Sequence, residues 1–234
     1  MRESWASEFT RGVATILPVA MAVTPFALIF GALAAQKGLS PLEVGLMSGL
    51  VFAGASQFVA VDIWQHPAPW LVLGFTALTI NLRHVMMGAS IARHMGRFSA
   101  ASRYVSLYFL ADEIWALAER RASVTTLTPG YFLGLGVTLY LGWIGLTVSG
   151  ALAGSALGDP ERFGFDFVFT AIFIALIVGF WRGYRTGVIV AASAAVAALT
   201  HLLVPGPWYI LAGGLAGIAT GAAFMAEDVE EQAA

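Results

Sequence analysis

Residues 70–92 read WLVLGFTALTINLRHVMMGASIA, an apolar run with Asn81, Arg83 and His84 set into its middle. At about 1.5 Å per residue such a run reaches roughly 34 Å as a helix, enough to cross a hydrocarbon core of about 30 Å. A guanidinium facing lipid at that depth costs about 2.5–3.5 kcal/mol on insertion scales. A chain keeps such a residue where it faces protein, a partner charge or a polar cavity. Arg83 therefore predicts both a membrane bundle and an interior that has work for a cation.

The bulk composition agrees. Of 234 residues, 59% are hydrophobic and 11% charged, against roughly 25% charged in soluble domains. Mean hydropathy is +0.80. Lys37 is the one lysine beside eleven arginines, and the net charge is −2, so no basic surface for nucleic acid is expected. The chain has no cysteine, which excludes disulfides, thiolate metal sites and a thiol nucleophile. Ala32-Leu33-Ala34 mimics a signal peptidase site behind Arg2 and Arg11. The length of the first run, its two prolines and the apolar segments after it favour a retained helix.

The hydropathy pattern predicts an all-α, polytopic transmembrane bundle of 7–8 segments: 13–35, 44–64, 70–92, 104–118, 131–154, 166–181, 185–203 and 208–225. The fourth is short and holds Asp112-Glu113, so it either spans or lies half-inserted. We expect one membrane domain over 1–234, with a flank at 1–12, halves at 13–121 and 122–225, and an acidic disordered tail at 226–234. Gly31-Ala32-Leu33-Ala34, followed by Pro41, echoes Gly150-Ala151-Leu152-Ala153, followed by Pro160. Duplicated, inverted halves are common in secondary transporters. With all eight segments crossing, Lys and Arg divide evenly between the two sides. If the fourth does not cross and the N-terminus is outside, Lys37, Arg93, Arg97, Arg103, Arg120, Arg121, Arg182 and Arg185 lie inside. Arg2, Arg11 and Arg162 then lie outside, which satisfies the positive-inside rule and the inverted repeat together.

Several residues in these segments could carry chemistry. Pro18 and Pro25 either kink the first helix or break it, exposing backbone ends to a substrate. In Phe52-Ala53-Gly54-Ala55-Ser56-Gln57-Phe58, Gly54 admits a close neighbour or ligand. Ser56 and Gln57 serve either as interhelical glue or as lining of a path. Asn81 and His84 share a helix face; Arg83 suits a carboxylate and His84 can carry protons near neutral pH. Asp112 and Glu113 are the acids inside an apolar stretch, one to neutralise Arg83 and the other to take an ammonium or a proton. Gly213, Gly217 and Gly221 form a small-residue packing stripe, either internal or for a partner.

Phe52 to Phe58, Thr79-Ile80-Asn81-Leu82-Arg83-His84 running into Met87-Gly88-Ala89-Ser90, and Ala111-Asp112-Glu113-Ile114-Trp115 together resemble the AzlC family, with the Pro18/Pro25 helix before them. The resemblance implies the large subunit of a branched-chain amino acid exporter in the bacterial inner membrane, working with a small AzlD-type membrane subunit. It implies a substrate site drawn from Pro18, Pro25, Gly54, Ser56, Gln57, Phe58, Asn81, Arg83 and His84, with Asp112 and Glu113 for ion or proton coupling. No cofactor or metal and no catalytic residue is expected. The second half, 131–234, matches by hydropathy more than by motif. Two rivals remain: an assembly subunit without its own path, and an intramembrane serine hydrolase using Ser56 with His84. The hydrolase lacks a Gly-x-Ser-Gly setting and leaves the mid-membrane acids without a role. A channel is also disfavoured, since no ring of like charges is suggested.

Overall fold

The computed structural model describes residues 4–156, 174, 177, 178, 181, 183–204 and 208–233. Ten helices are seen among them: α1 (Trp5–Ala22), α2 (Thr24–Gln36), α3 (Pro41–Val51), α4 (Gly54–Asp62), α5 (Trp70–Ala92), α6 (Ala100–Tyr108), α7 (Asp112–Ala122), α8 (Pro129–Ala156), α9 (Tyr184–Leu203) and α10 (Trp208–Ala233). The all-α class holds. By length and composition α5, α8 and α9 can each cross a membrane, and α1 with α2, bent by 56°, forms either a fourth, broken span or a re-entrant loop. Three expected segments are broken. The first bends at Val23, the second splits at Phe52-Ala53, and the fourth splits at Phe109–Ala111. The sixth, 166–181, lies largely outside the described residues.

Local chemistry explains the ends. Pro25 sits in the first turn of α2, where its missing N–H is no loss and its ring restricts the residue before it. Pro18 is carried inside α1, so the break falls at Val23 rather than at either proline. Gly38, at φ +88°, closes α2: Gly38 N–H donates to Ala35 O (3.0 Å) and Leu39 N–H to Ala34 O (3.1 Å), a left-handed glycine cap. α3 opens on a capping box in which Ser40 and Glu43 bond each other's backbone. It ends at Phe52 in the left-handed region, φ 43° and ψ 44°. α7 carries Asp112 and Glu113 in its first turn and Arg120 and Arg121 in its last, the charge order that a helix dipole favours.

Contacts divide the chain into two compact units, Met1–Asp166 and Phe167–Ala234. This division falls later than the 121/122 boundary expected between halves. In the first unit α8 is the spine, with α1, α2 and α3 lying along it. Glycines set the approach. A methyl group at Gly12 or Gly134 would run into the Tyr131 or Phe9 carbonyl, and one at Gly31 or Gly150 into the Thr147 or Leu28 carbonyl. The two segments read as a repeat therefore pack against each other, α2 on α8. In the second unit α9 and α10 pair: a Cβ on Gly213 would lie 2.9 Å from Ala197 Cβ, and Ser193 Oγ donates to Gly213 O at 2.8 Å. The stripe on the eighth segment is an internal face. α10 stays helical to Ala233, through the end expected to be a disordered tail, because Ala, Glu, Met and Gln are good helix formers.

Candidate functional site

α5 stands between α4 and α7 and divides the candidate residues into two groups. Asn81 and Arg83, two positions apart, point about 200° away from one another on a 3.6-residue helix. Asn81 faces α4, where its Nδ2 donates to Ser56 Oγ at 3.2 Å. Arg83 faces α7, where Nη1 meets Asp112 Oδ2 at 2.8 Å.

The α4 side is a closed polar chain. Trp143 Nε1 donates to Gln57 Oε1 (3.1 Å), Gln57 Nε2 to Ser48 Oγ (3.3 Å), and Thr147 Oγ1 to the Ile144 carbonyl (3.0 Å). Ser48 Oγ and Thr147 Oγ1 lie 2.8 Å apart, so with the Thr147 proton committed, Ser48 is the donor between them. Gln57 is 1% exposed and Ser56 2% exposed. The Gln57 amide joins α4 to α3 and α8, and the Ser56 hydroxyl, accepting from Asn81, joins α4 to α5 as interhelical hydrogen bonds. Gly54 lies under Trp143, whose ring would sit 3.1 Å from an added Cβ. Phe58 packs edge-on to Phe26 and Phe30. Ser56 Oγ donates to Ala53 O at 3.2 Å, and His84 Nδ1 lies 3.2 Å from Asn81 O. Among the described residues no hydrogen bond joins Ser56 to His84. Pro18 and Pro25 are both exposed, away from this chain.

The α7 side holds the charges. Asp112, at the start of α7 just past the break, takes the Arg83 guanidinium. The pair is partly open, with side chains 32% and 41% exposed, and Glu113 beside it is half-buried. Arg83 Nε, Asn81 Oδ1 and Thr76 Oγ1 are buried with no hydrogen-bond partner among the described residues. Buried polar atoms without partners are rare, and two of these three lie on the stripe of α5 that turns toward α7.

One cluster went unread in the sequence. Glu8, buried on α1, meets Arg11 Nη1 (2.7 Å) and Arg121 Nη2 (3.1 Å) and accepts from Thr128 Oγ1 (2.7 Å). Arg121 also lies over the Tyr131 ring at 4.9 Å. This knot ties α1, α7 and the start of α8. Its signal was an acid just ahead of a segment expected to begin at residue 13, with Arg11 three residues on; Arg121 and Thr128 lie more than a hundred residues away. Among the described residues no group of three or more His, Asp or Glu could hold a metal ion.

Apolar helices long enough to cross a bilayer, with a charge pair set between α5 and α7, define an integral membrane protein. The sequence matches the family model described as AzlC protein over residues 18–157, more than half the chain, and the chain belongs to that family. An uncharacterised membrane protein of Archaeoglobus fulgidus is 33% identical to it over 92% of this chain and 94% of its own length. The inner membrane protein YgaZ of Escherichia coli is 29% identical over 92% and 90%. The branched-chain amino acid transport protein AzlC of Bacillus subtilis is 26% identical over 76% and 69%. Family and relatives together give the chain a role in membrane transport. No solved structure matches it.

Proposed function

We propose that this chain is the permease subunit of a secondary transporter that exports branched-chain amino acids (leucine, isoleucine, valine or analogues) from a bacterial cell across its inner membrane. A small AzlD-type membrane protein is its partner. The observation that carries this reading is the Arg83–Asp112 pair at the broken fourth segment, with Glu113 beside it. A zwitterionic substrate presents the same two charges. Its carboxylate competes with Asp112 for the guanidinium, whose Nε is unpartnered, and its ammonium replaces Arg83 at the acids. Met87, buried one turn beyond Arg83, offers an apolar wall to the branched tail. Exchange of one ion pair for another keeps charge balanced throughout, which a low-dielectric site requires. The name of the Bacillus subtilis relative supports the same substrate class.

Counterflow in proteoliposomes tests it, using an amino acid panel with and without the co-expressed small subunit. Leucine, isoleucine and valine should lead the panel, and Arg83→Ala should abolish their exchange while still reaching the membrane. Unchanged leucine exchange in Arg83→Ala refutes the role of Arg83. A panel in which no branched-chain amino acid exchanges refutes the substrate class.

A further inference from the structure

A second cluster closes the surface end of the same α5–α7 seam. Thr76, Arg83 and Ser90 recur every seven residues, with Met87 on the same side of α5 and His94 in the turn just past its end. Arg83 to Ser90 is about 10 Å of helical rise. At Ser90 the seam becomes polar again. Trp115 Nε1 donates to Ser90 Oγ at 3.3 Å, and Ser90 Oγ donates to Glu119 Oε1. Glu119 Oε2 in turn lies 3.2 Å from His94 Nε2 and 3.6 Å from Arg93 Nη2.

The Glu8 knot shows what a purely structural carboxylate looks like in this protein. Glu8 is held by two arginines and a threonine and is 5% exposed at the side chain, so nothing around it changes charge. Glu119 has the His94 imidazole as its nearest basic group, whose Nε2 accepts from Arg93 Nε at 3.1 Å, and both groups are open to water, at 19% and 30%. We infer that Ser90, His94 and Glu119 form the proton-exchange site through which the Arg83–Asp112–Glu113 site communicates with water at one membrane face. This rests on the transport reading proposed above.

The step balances simply. His94 Nε2, which accepts from Arg93 Nε at 3.1 Å, takes a proton from water as that bond opens and hands it across the 3.2 Å contact to Glu119, leaving neutral imidazole and a neutral carboxyl. The carboxyl gives it up to the Asp112–Glu113 carboxylates, six to seven residues back along α7, and returns to carboxylate. Burial pushes the Glu119 carboxyl up, but the Ser90 hydroxyl, His94 and Arg93 outweigh it and hold the group below its ordinary value. It therefore waits as an anion. The other charged groups around α7 are committed elsewhere: Asp112 to Arg83, and Arg121 to Glu8 of α1 beside Arg11. Glu113 stands at the inner end of the seam, and Arg120 is exposed. From α8, Tyr131 lies under Arg121 of α7.

Full-length chain, reconstituted with its small subunit where counterflow requires it, separates coupling from exchange. Leucine counterflow at equal pH and leucine flux driven by an imposed pH gradient are measured for wild type, His94→Gln, Glu119→Gln and Glu119→Asp. Glu119→Gln and His94→Gln should lose gradient-driven flux by about a hundredfold, the scale of a lost proton-transfer group, with counterflow unchanged. Glu119→Asp should keep both. Wild-type driven flux in either glutamine variant overturns the inference. Equal loss of counterflow and driven flux in variants that remain monodisperse assigns the cluster a structural tie and overturns it too. Wild type that exchanges leucine but ignores the pH gradient overturns this inference alone. Wild type that exchanges no branched-chain amino acid overturns the proposed function and this inference with it.

Discussion

At Phe52 a bulky residue occupies the left-handed region, which costs an L-residue roughly 1–2 kcal/mol. Glycine would remove that strain. Yet Phe52 is buried against Tyr140, and truncating such a ring costs about 3–5 kcal/mol. Burial is the larger effect, so Phe52→Gly should be less stable by about 2 kcal/mol, read as a lower Tm in detergent. An equal or higher Tm would reverse this ranking. Arg83→Lys asks a different question, because an ammonium keeps the charge but loses the planar fork. We expect normal assembly with leucine exchange reduced about tenfold, the equivalent of about 1.4 kcal/mol. At the surface, Glu43 is held below its ordinary carboxyl value first by the Ser40 backbone N–H and then by the Ser40 hydroxyl. A depressed carboxyl stabilises the fold when ionised. Its contribution is complete above the unfolded value and disappears as pH falls through the folded one. The Tm difference between wild type and Glu43→Gln should therefore be present at pH 7 and close in acid; a constant difference contradicts it. Arg83 and its acids were legible as residues because a charge in an apolar run stands out. Glu8 was not, since beyond Arg11 its partners Arg121 and Thr128 are distant in the chain.

Among the elements, α5 was legible to the residue at 70–92, and α8 was read as 131–154 against the observed 129–156. Hydropathy reports length and apolarity well. It does not report a break whose flanks are equally apolar, so the splits at Phe52-Ala53 and Phe109–Ala111 escaped it. The prolines announced a break but misplaced it, because Pro18 fits within α1. The site divided for a related reason: spacing placed Asn81 and Arg83 near one another in sequence, while α5 turned them to different neighbours. The glycines of α2 and α8 make the clearest element-level prediction. A methyl group on Gly31 would collide with the Thr147 carbonyl, whereas one on Gly142 meets nothing within 4 Å. Gly31→Ala should destabilise by about 1–3 kcal/mol through forced separation of α2 and α8. Gly142→Ala should change stability by no more than about 0.5 kcal/mol. Equal Tm values for the two variants would show that the seam yields.

For the whole molecule, α6 and α7 are 9 and 11 residues long, about 14 and 16 Å, against a core of about 30 Å. Neither crosses alone, which favours the arrangement with the N-terminus outside. The chain lacks cysteine, so single-cysteine variants report topology cleanly. Cysteines at Lys37, Arg97 and Ser123 should be shielded from an impermeant maleimide added to intact cells, and one at Ser4 labelled. Labelling at Ser123 with protection at Arg97 would mean that the fourth segment crosses after all.

The glycine seams have a consequence for biosynthesis. Gly12 and Gly31 find their counterparts at Gly134 and Gly150, more than a hundred residues later. At about 5–20 residues per second a ribosome needs roughly 6–24 s to bridge that gap. Throughout that interval the newborn first helix shows the insertion machinery a bare ridge and an acid with Arg11 as its sole early partner. A nascent chain stalled before Pro129 is thus an orphan for membrane proteases to clear, and one stalled beyond Ala156 already has its keel.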